Sequence, residues 1–359
     1  MFYAIIKLMK LFNRLICLNL WIKGDLFMKK IGLKILALFV FFFSLTACDL
    51  SLGVNYTYKD ADKYVLGSST LDGIETINID WISGKVIFAR NFDGVSYFEE
   101  EYTQDLTEDY LLHYYKKGKE LNIKFAKSGA DLNNKNIEKT LKLHINKDDL
   151  IKRNIIVNTV SSDVNVGFVD FNDIDINTVS GDVNISMLSC PKVKINTVSG
   201  NVKVVELKSN DIDINTVSGE IDFNTLLNPT SSIIGGINIL SVDKVVINTI
   251  SGDTKIRGYN IANLDFDSTS GDLEYCFYGD YNFSIDINTV SGDILFGFIV
   301  ETSMIINYET ISGEFDSYIL VTTKDGKYIV KNGENEVNVN TTSGNLKLDL
   351  LLFVDTYWA

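Results

Sequence analysis

The sequence predicts an all-β protein wound as a single parallel β-solenoid of roughly eleven to twelve coils with about 19–21 residues each. Three observations carry this prediction. One phrase, Ile174-Asp-Ile-Asn-Thr-Val-Ser-Gly-Asp-Val-Asn-Ile185, recurs around Thr159, Thr178, Thr197, Thr216, Thr249, Ser268, Thr289, Thr310 and Thr341, with a divergent copy over 77–88. Within each copy apolar and polar residues alternate, which is the period of a half-buried strand. The corners recur with a period near twenty broken by two long intervals: from Ser162 onward they are separated by 19, 19, 19, 33, 19, 21, 21 and 31 residues.

The chain before the repeats divides by composition. Residues 1–27 have no evident role and read as an upstream over-extension, with Met28 the natural start. From Met28 a basic Met-Lys-Lys leads into an apolar run over 31–45, then Leu45-Thr46-Ala47-Cys48. This is the anatomy of a secretory signal over 28–47. Fifteen apolar residues are too few for a membrane span of about 20. The Leu-Thr-Ala-Cys ending resembles the lipobox of bacterial lipoproteins. That likeness implies a lipidated Cys48, a membrane as partner through that lipid, and a place in the cell envelope outside the cytoplasm. Residues 48–73 read as a polar tether, 74–154 as N-terminal coils and cap, 155–350 as regular coils, and 351–359 as a C-terminal cap or tail.

Within 74–154, the alternation over Ile77–Trp81 and the return from Val86 to Phe88 mark the first coil. Segments 95–102, 121–125 and 141–145 read as strands, and 106–119 as either a short helix or another strand. From Ile155 the register is strict. Taking Thr178 as zero, positions −2 and −4 are apolar in all nine copies and −1 is Asn in seven. The zero residue faces inward beside the corner. Its hydroxyl is expected to bond either from coil to coil or to unpaired corner backbone. The corners are Ser83-Gly84, Ser180-Gly181, Ser199-Gly200, Ser218-Gly219, Ser251-Gly252, Ser270-Gly271, Ser291-Gly292, Ser312-Gly313 and Ser343-Gly344, and Ser162 stands where a glycine is expected. A recurring corner glycine implies φ > 0 or close backbone approach. The long intervals place insertions at 226–244 and 322–336, opposite the corner.

Charge and residue types narrow the function. The chain has net charge −14; residues 1–47 hold seven Lys/Arg and one Asp/Glu, so the remainder has 26 basic and 46 acidic residues, net −20. Such a surface disfavours nucleic acid and anionic headgroups. Beyond Cys48 only Cys190 and Cys276 remain, four repeats apart and too distant to bridge. The only histidines, His113 and His144, lie in the irregular region. No zinc-hydrolase, phosphate-loop or cysteine-cluster motif occurs. No catalytic residue, cofactor or metal is therefore expected. The Asp173/Asp175, Asp211/Asp213 and Asp265/Asp267 pairs invite a carbohydrate-active reading, but they recur with the repeat as solvated surface does. The acidic residue after each corner invites calcium binding, but the turn lacks the pattern of calcium-binding solenoids.

The Thr-Val-Ser-Gly-Asp series at twenty-residue spacing, with its opening over 77–86 and its closing over 330–346, resembles the bacterial "putative adhesin" family of unknown function. The resemblance implies a lipid-anchored envelope protein with an adhesin-like, non-catalytic surface for a cell-envelope or extracellular ligand. Two alternatives follow less directly: a structural or envelope-stress regulatory lipoprotein, and a carbohydrate-active β-helix enzyme. The outward Asp175 and Asn177 and the turn Asp182 are the repeat positions left free for function.

Overall fold

A computed structural model describes residues 56–92, 94–133, 135–224, 240–257, 259–278 and 281–350. The chain divides into two compact units, 1–45 and 46–359, and all described residues belong to the second. The signal, Cys48, most of the first insertion and the tail 351–359 lie outside the described residues.

The unit is all-β. Two sheets of 15 and 13 strands face each other, and each repeat contributes one strand to each. Coil 173–189 shows the pattern. Ile174 and Ile176 on one strand, and Val183, Ile185 and Leu188 on the next, point into a single apolar core. Successive repeats pair in parallel and in register, so Ile174, Val193, Ile212 and Val245 form one buried row. Four strands of the larger sheet and two of the smaller are antiparallel additions at the ends or their partners, leaving eleven parallel levels.

Stacking order departs from sequence order at both ends. Thr76–Trp81 and Gly84–Asn91, expected as the first coil, form the second level; Glu120–Lys124 and Lys139–Asn146 lie outside them. At the other end, Asn335–Thr341 and Leu346–Leu350, expected as the closing coil, insert between Ser284–Thr289/Ile294–Val300 and the outermost Met304–Glu309/Phe315–Ser317. The insertion at 322–336 is therefore an end structure: strands Thr322–Lys324 and Lys327–Val330 form a hairpin paired antiparallel to Met304–Glu309. Short antiparallel strands at an end blunt the row of unpaired edge groups that would otherwise recruit another chain.

Two further expectations change. Residues 56–73 belong to the folded end and not to a tether: Leu71 is fully buried, Tyr56 bridges to Ala130, and Tyr56, Tyr58 and Tyr64 pack ring against ring. Segment 106–119 holds one 3-10 turn, Glu108–Tyr110, and then the strand His113–Lys117.

The corner explains the repeat. Gly84 alone among the corner glycines has a left-handed φ, +93°. Close approach is common to them all: a Cβ would lie 2.1 Å from Lys139 O at Gly84, and at Gly200, Gly219 or Gly292 2.0, 2.0 or 2.1 Å from the carbonyl oxygen of the preceding level's glycine. Ser162 follows the level of the differently turned Gly84, and its hydroxyl is buried with no hydrogen-bond partner among the described residues. The zero-position hydroxyl works within its own coil. Thr178 Oγ1 accepts the Gly181 N–H at 2.9 Å, and the same bond recurs from Thr159 to Thr341. The coil-to-coil link comes instead from the corner serine, as when Ser180 Oγ donates to Val160 O at 3.3 Å. Thr310 is the one exposed member of the inner column because it sits in the outermost level. Thr216→Val is expected to leave the buried Gly219 amide without an acceptor and to lower stability by roughly 1–3 kcal/mol in urea denaturation.

Candidate functional site

The outward faces carry side-chain ladders, and most of their polar groups are committed to stacking. At position −1, Asn177 Nδ2 donates to Asn158 Oδ1 at 3.1 Å, Asn196 to Asn177 at 2.8 Å and Asn215 to Asn196 at 3.0 Å. Asn177 is 7% exposed, so it belongs to the framework and is not free for recognition. The ladder breaks at Asn248, whose Oδ1 is buried without a donor. The next residue in the row is Asp267, an acceptor when ionised, which itself takes a bond from Asn288.

Charges on both sheet faces alternate in sign over part of the stack, although Asp265 lies directly against Asp286 further along the first face. On one face Asp175 registers with Lys194 and Lys194 with Asp213; nearer the far bend, Asp173, Lys192, Asp211 and Lys244 alternate. On the other face Lys203, Asp222, Lys255 and Glu274 do the same. Opposite charges directly across strands stabilise the pairing, whereas like charges there would oppose it. Asp175 is half-buried, and burial raises its carboxyl pKa against the opposing pull of Lys194. A raised folded pKa means that the ionised carboxylate opposes folding above that pKa, and this penalty disappears as pH falls through it. Asp175→Asn is therefore expected to raise the melting temperature at pH 7 and to leave it nearly unchanged at pH 3.

The edge next to the corners is different. Lys85, Asp163, Asp182, Asn201, Glu220, Asp253, Asp272, Asp293, Asn345 and Glu314 succeed one another there, and Lys85 at the N-terminal end is the one cation in the row among the described residues. Side chains of this row cap the next level: Asp182 Oδ1 accepts the Asn201 amide at 2.8 Å, and Asp272 Oδ1 accepts the Asp293 amide at 2.8 Å. Asp182 thus has one oxygen committed to the framework. The capping bonds hold the ridge at the strand spacing of about 4.8 Å. Glu220 interrupts the capping, since among the described residues its longer side chain makes no such bond to Asp253. Glu220→Asp is expected to restore it and to add about 0.5–1.5 kcal/mol, read as a higher urea midpoint.

Beside the ridge, a concave strip of about 490 Å³ runs along the second sheet, lined by Asp253, Asp272, Asp293, Glu314, Lys255 and Lys347 among others. It mixes carboxylates with two lysines. Among the described residues no group of three His, Cys, Asp or Glu is placed to hold a metal ion.

Groups that serve as nucleophiles or bases elsewhere have structural partners here. Burial pushes the Cys190 and Cys276 thiols up to about 12, and both are free of disulfides. His113 Nδ1 lies 3.0 Å from Leu111 O. His144 stacks on Tyr97 at 4.3 Å, with Nε2 3.0 Å from Glu99 Oε1. The corner serines bond between levels. Sequence reasoning missed the buried ions of the N-terminal end. Lys139 is enclosed by Trp81 and Phe125 and pairs with Glu100 at 2.9 Å, and Arg153 pairs with Asp149 at 2.7 Å. Neither has a repeat-based signal.

None of the curated proteins compared matches the chain. Its structure is similar to a "putative cell adhesion protein" from Clostridium sporogenes (10% identity, 80% of this chain, 99% of that chain, TM-score 0.24). Two others are a "putative lipid binding protein" from Parabacteroides distasonis (15%, 81% and 97%, 0.45) and a "putative adhesin" from Bacteroides fragilis (9%, 80% and 97%, 0.35). The Toastrack DUF4097 family model matches twice in succession, over residues 75–233 and 230–349, which together span the folded repeats. The chain belongs to the Toastrack DUF4097 family.

Proposed function

We propose that this protein is a lipid-anchored component of a bacterial cell envelope, held to the membrane through Cys48, whose folded body is a non-catalytic, adhesin-like binding surface. The acidic ridge carries this reading. The sheet faces neutralise much of their own charge, whereas the ridge concentrates carboxylates in a row fixed by backbone bonds and left facing solvent. A rigid, repetitive anionic edge suits a partner with repeated cationic or hydrogen-bond-donating groups at the envelope or outside the cell. Commitment of the thiols, histidines and corner serines to structural contacts agrees with a surface that binds without reacting. Among the described residues no helix is long and apolar enough to cross a membrane.

The test has two parts. Cells expressing the protein take up labelled palmitate, which Cys48→Ser abolishes. The purified body is applied to arrays of glycans, cell-wall fragments and matrix proteins, and is expected to retain a ligand that Asp272→Lys/Asp293→Lys releases. Palmitate uptake independent of Cys48 would remove the anchor. An empty array, with attachment unchanged in a deletion strain, would remove the adhesin-like function.

A further inference from the structure

Three large apolar side chains are exposed at the N-terminal end, at the bend opposite the corners. Phe92 is 71% exposed, Leu150 96% and Phe168 47%. They come from neighbouring parts of the second sheet, in which Lys139–Asn146, Gly84–Asn91 and Asp163–Asp170 lie side by side. The loops after the first two strands are fastened together. Lys147 N donates to Asn91 O at 3.0 Å, and Ser96 Oγ donates to Asp149 Oδ2 at 2.6 Å while accepting the Asn146 amide at 2.9 Å. Gly167 registers with Ala89, which sets Phe168 level with Arg90, about 8 Å from Phe92.

Phe168 adds a second observation. It has φ +57°, a left-handed conformation in which a bulky residue is an outlier, and it sits at a shift in strand register. Bulges of this kind re-aim side chains, and here the result is a phenyl ring directed to solvent at conformational cost. Most charges around it are paired: Arg90 with Asp170 at 3.8 Å, Lys147 with Asp148 at 3.0 Å, and Arg153 with Asp149, with Lys152 outside these pairs. The edge is thus apolar with little net charge, on an otherwise acidic chain. The described chain starts in this same end but on its corner side, at Tyr56, whose hydroxyl accepts the Phe125 amide, eight residues after Cys48. Eight residues reach at most about 28 Å.

We propose that Phe92, Leu150 and Phe168 form a bilayer-contact edge, entering the interfacial zone of a zwitterionic lipid surface and laying the N-terminal end of the stack against it. Apolar groups at such an interface sit about 5–10 Å into the headgroup boundary. The choice of membrane rests on the lipid-anchor reading, whereas the edge itself is testable without the lipid. Residues 49–359 lie within a unit that is compact by itself, so the unacylated chain from residue 49 is mixed with phosphatidylcholine vesicles containing brominated acyl chains. Tryptophan introduced as Phe92→Trp or Leu150→Trp is expected to be quenched at least twofold, read as emission above that of the parent's Trp81 and Trp358. Tyr318→Trp, at the opposite end and 64% exposed in the parent, is expected to be unaffected. The triple change F92S/L150S/F168S should lower vesicle partition at least tenfold with an unchanged melting temperature. Equal quenching at all three sites, or partition unaffected by the triple change, would overturn the proposal. Palmitate labelling separates the two readings: vesicle binding by this edge without labelling at Cys48 removes the anchor alone, and labelling without quenching removes this edge alone.

Discussion

Replacing Gly219 by alanine is expected to destabilise the fold by about 3 kcal/mol or more, because the new methyl would lie 2.0 Å from the Gly200 carbonyl oxygen. Overpacking a core with flexible neighbours costs about 1–3 kcal/mol. Here the obstacle is backbone, paired above and below in two sheets, and neither side can give without opening the parallel ladder. Gly200→Ala and Gly252→Ala meet the same obstacle. Gly167→Ala is the control: its nearest neighbour is 3.9 Å away and its φ is not left-handed. Urea denaturation of the four variants is expected to show three large losses and one change within about 0.5 kcal/mol. Equal stability of Gly219→Ala and the parent would show that the levels are not held at the spacing described.

The second large effect is expected at Lys139. Its side chain is fully buried and its ammonium donates to Tyr110 O at 2.7 Å and to Phe125 O, beside Glu100. Burial lowers its pKa and Glu100 partly restores it, so the ion is kept by its partners against the cost of desolvation. Lys139→Met removes the charge, leaving Glu100 without its cation, though its Oε1 still accepts the Leu112 amide, and two carbonyl oxygens without that donor. Losing one partner of a buried pair typically costs 3–5 kcal/mol. The double change Lys139→Met/Glu100→Leu should recover part of that loss, since it leaves no buried charge. A double variant as unstable as the single one would assign the effect to packing on Trp81 and Phe125.

The body of the fold was legible because each repeat position has one physical task repeated at every level. The buried Ile/Val pairs, the inward Thr and the corner Gly were each identified from spacing. The outward positions were less legible. Asn177 and Asp182 look free in one dimension, and only stacking shows that the first bonds to Asn158 and the second caps Asn201. Periodicity is also silent on the order of stacking, which is why 77–88 and 335–350 were read as end coils. The ion pairs of Lys139 and Arg153, and the turned-out Phe168, lie where the repeat fails, so no periodic signal marks them.

The out-of-order stacking has a mechanical consequence. In a solenoid whose first coil is also its outermost, a pull on the N-terminus peels one level at a time and breaks each ladder in series. Here strand Thr76–Trp81 is paired on both sides, with Glu120–Lys124 and with Asn154–Thr159. Tension applied through the segment before Tyr56 would have to shear both ladders of that strand together before any later level could detach. For a body held to a surface by its first residues, the load would meet a doubly bonded clamp at the point of attachment.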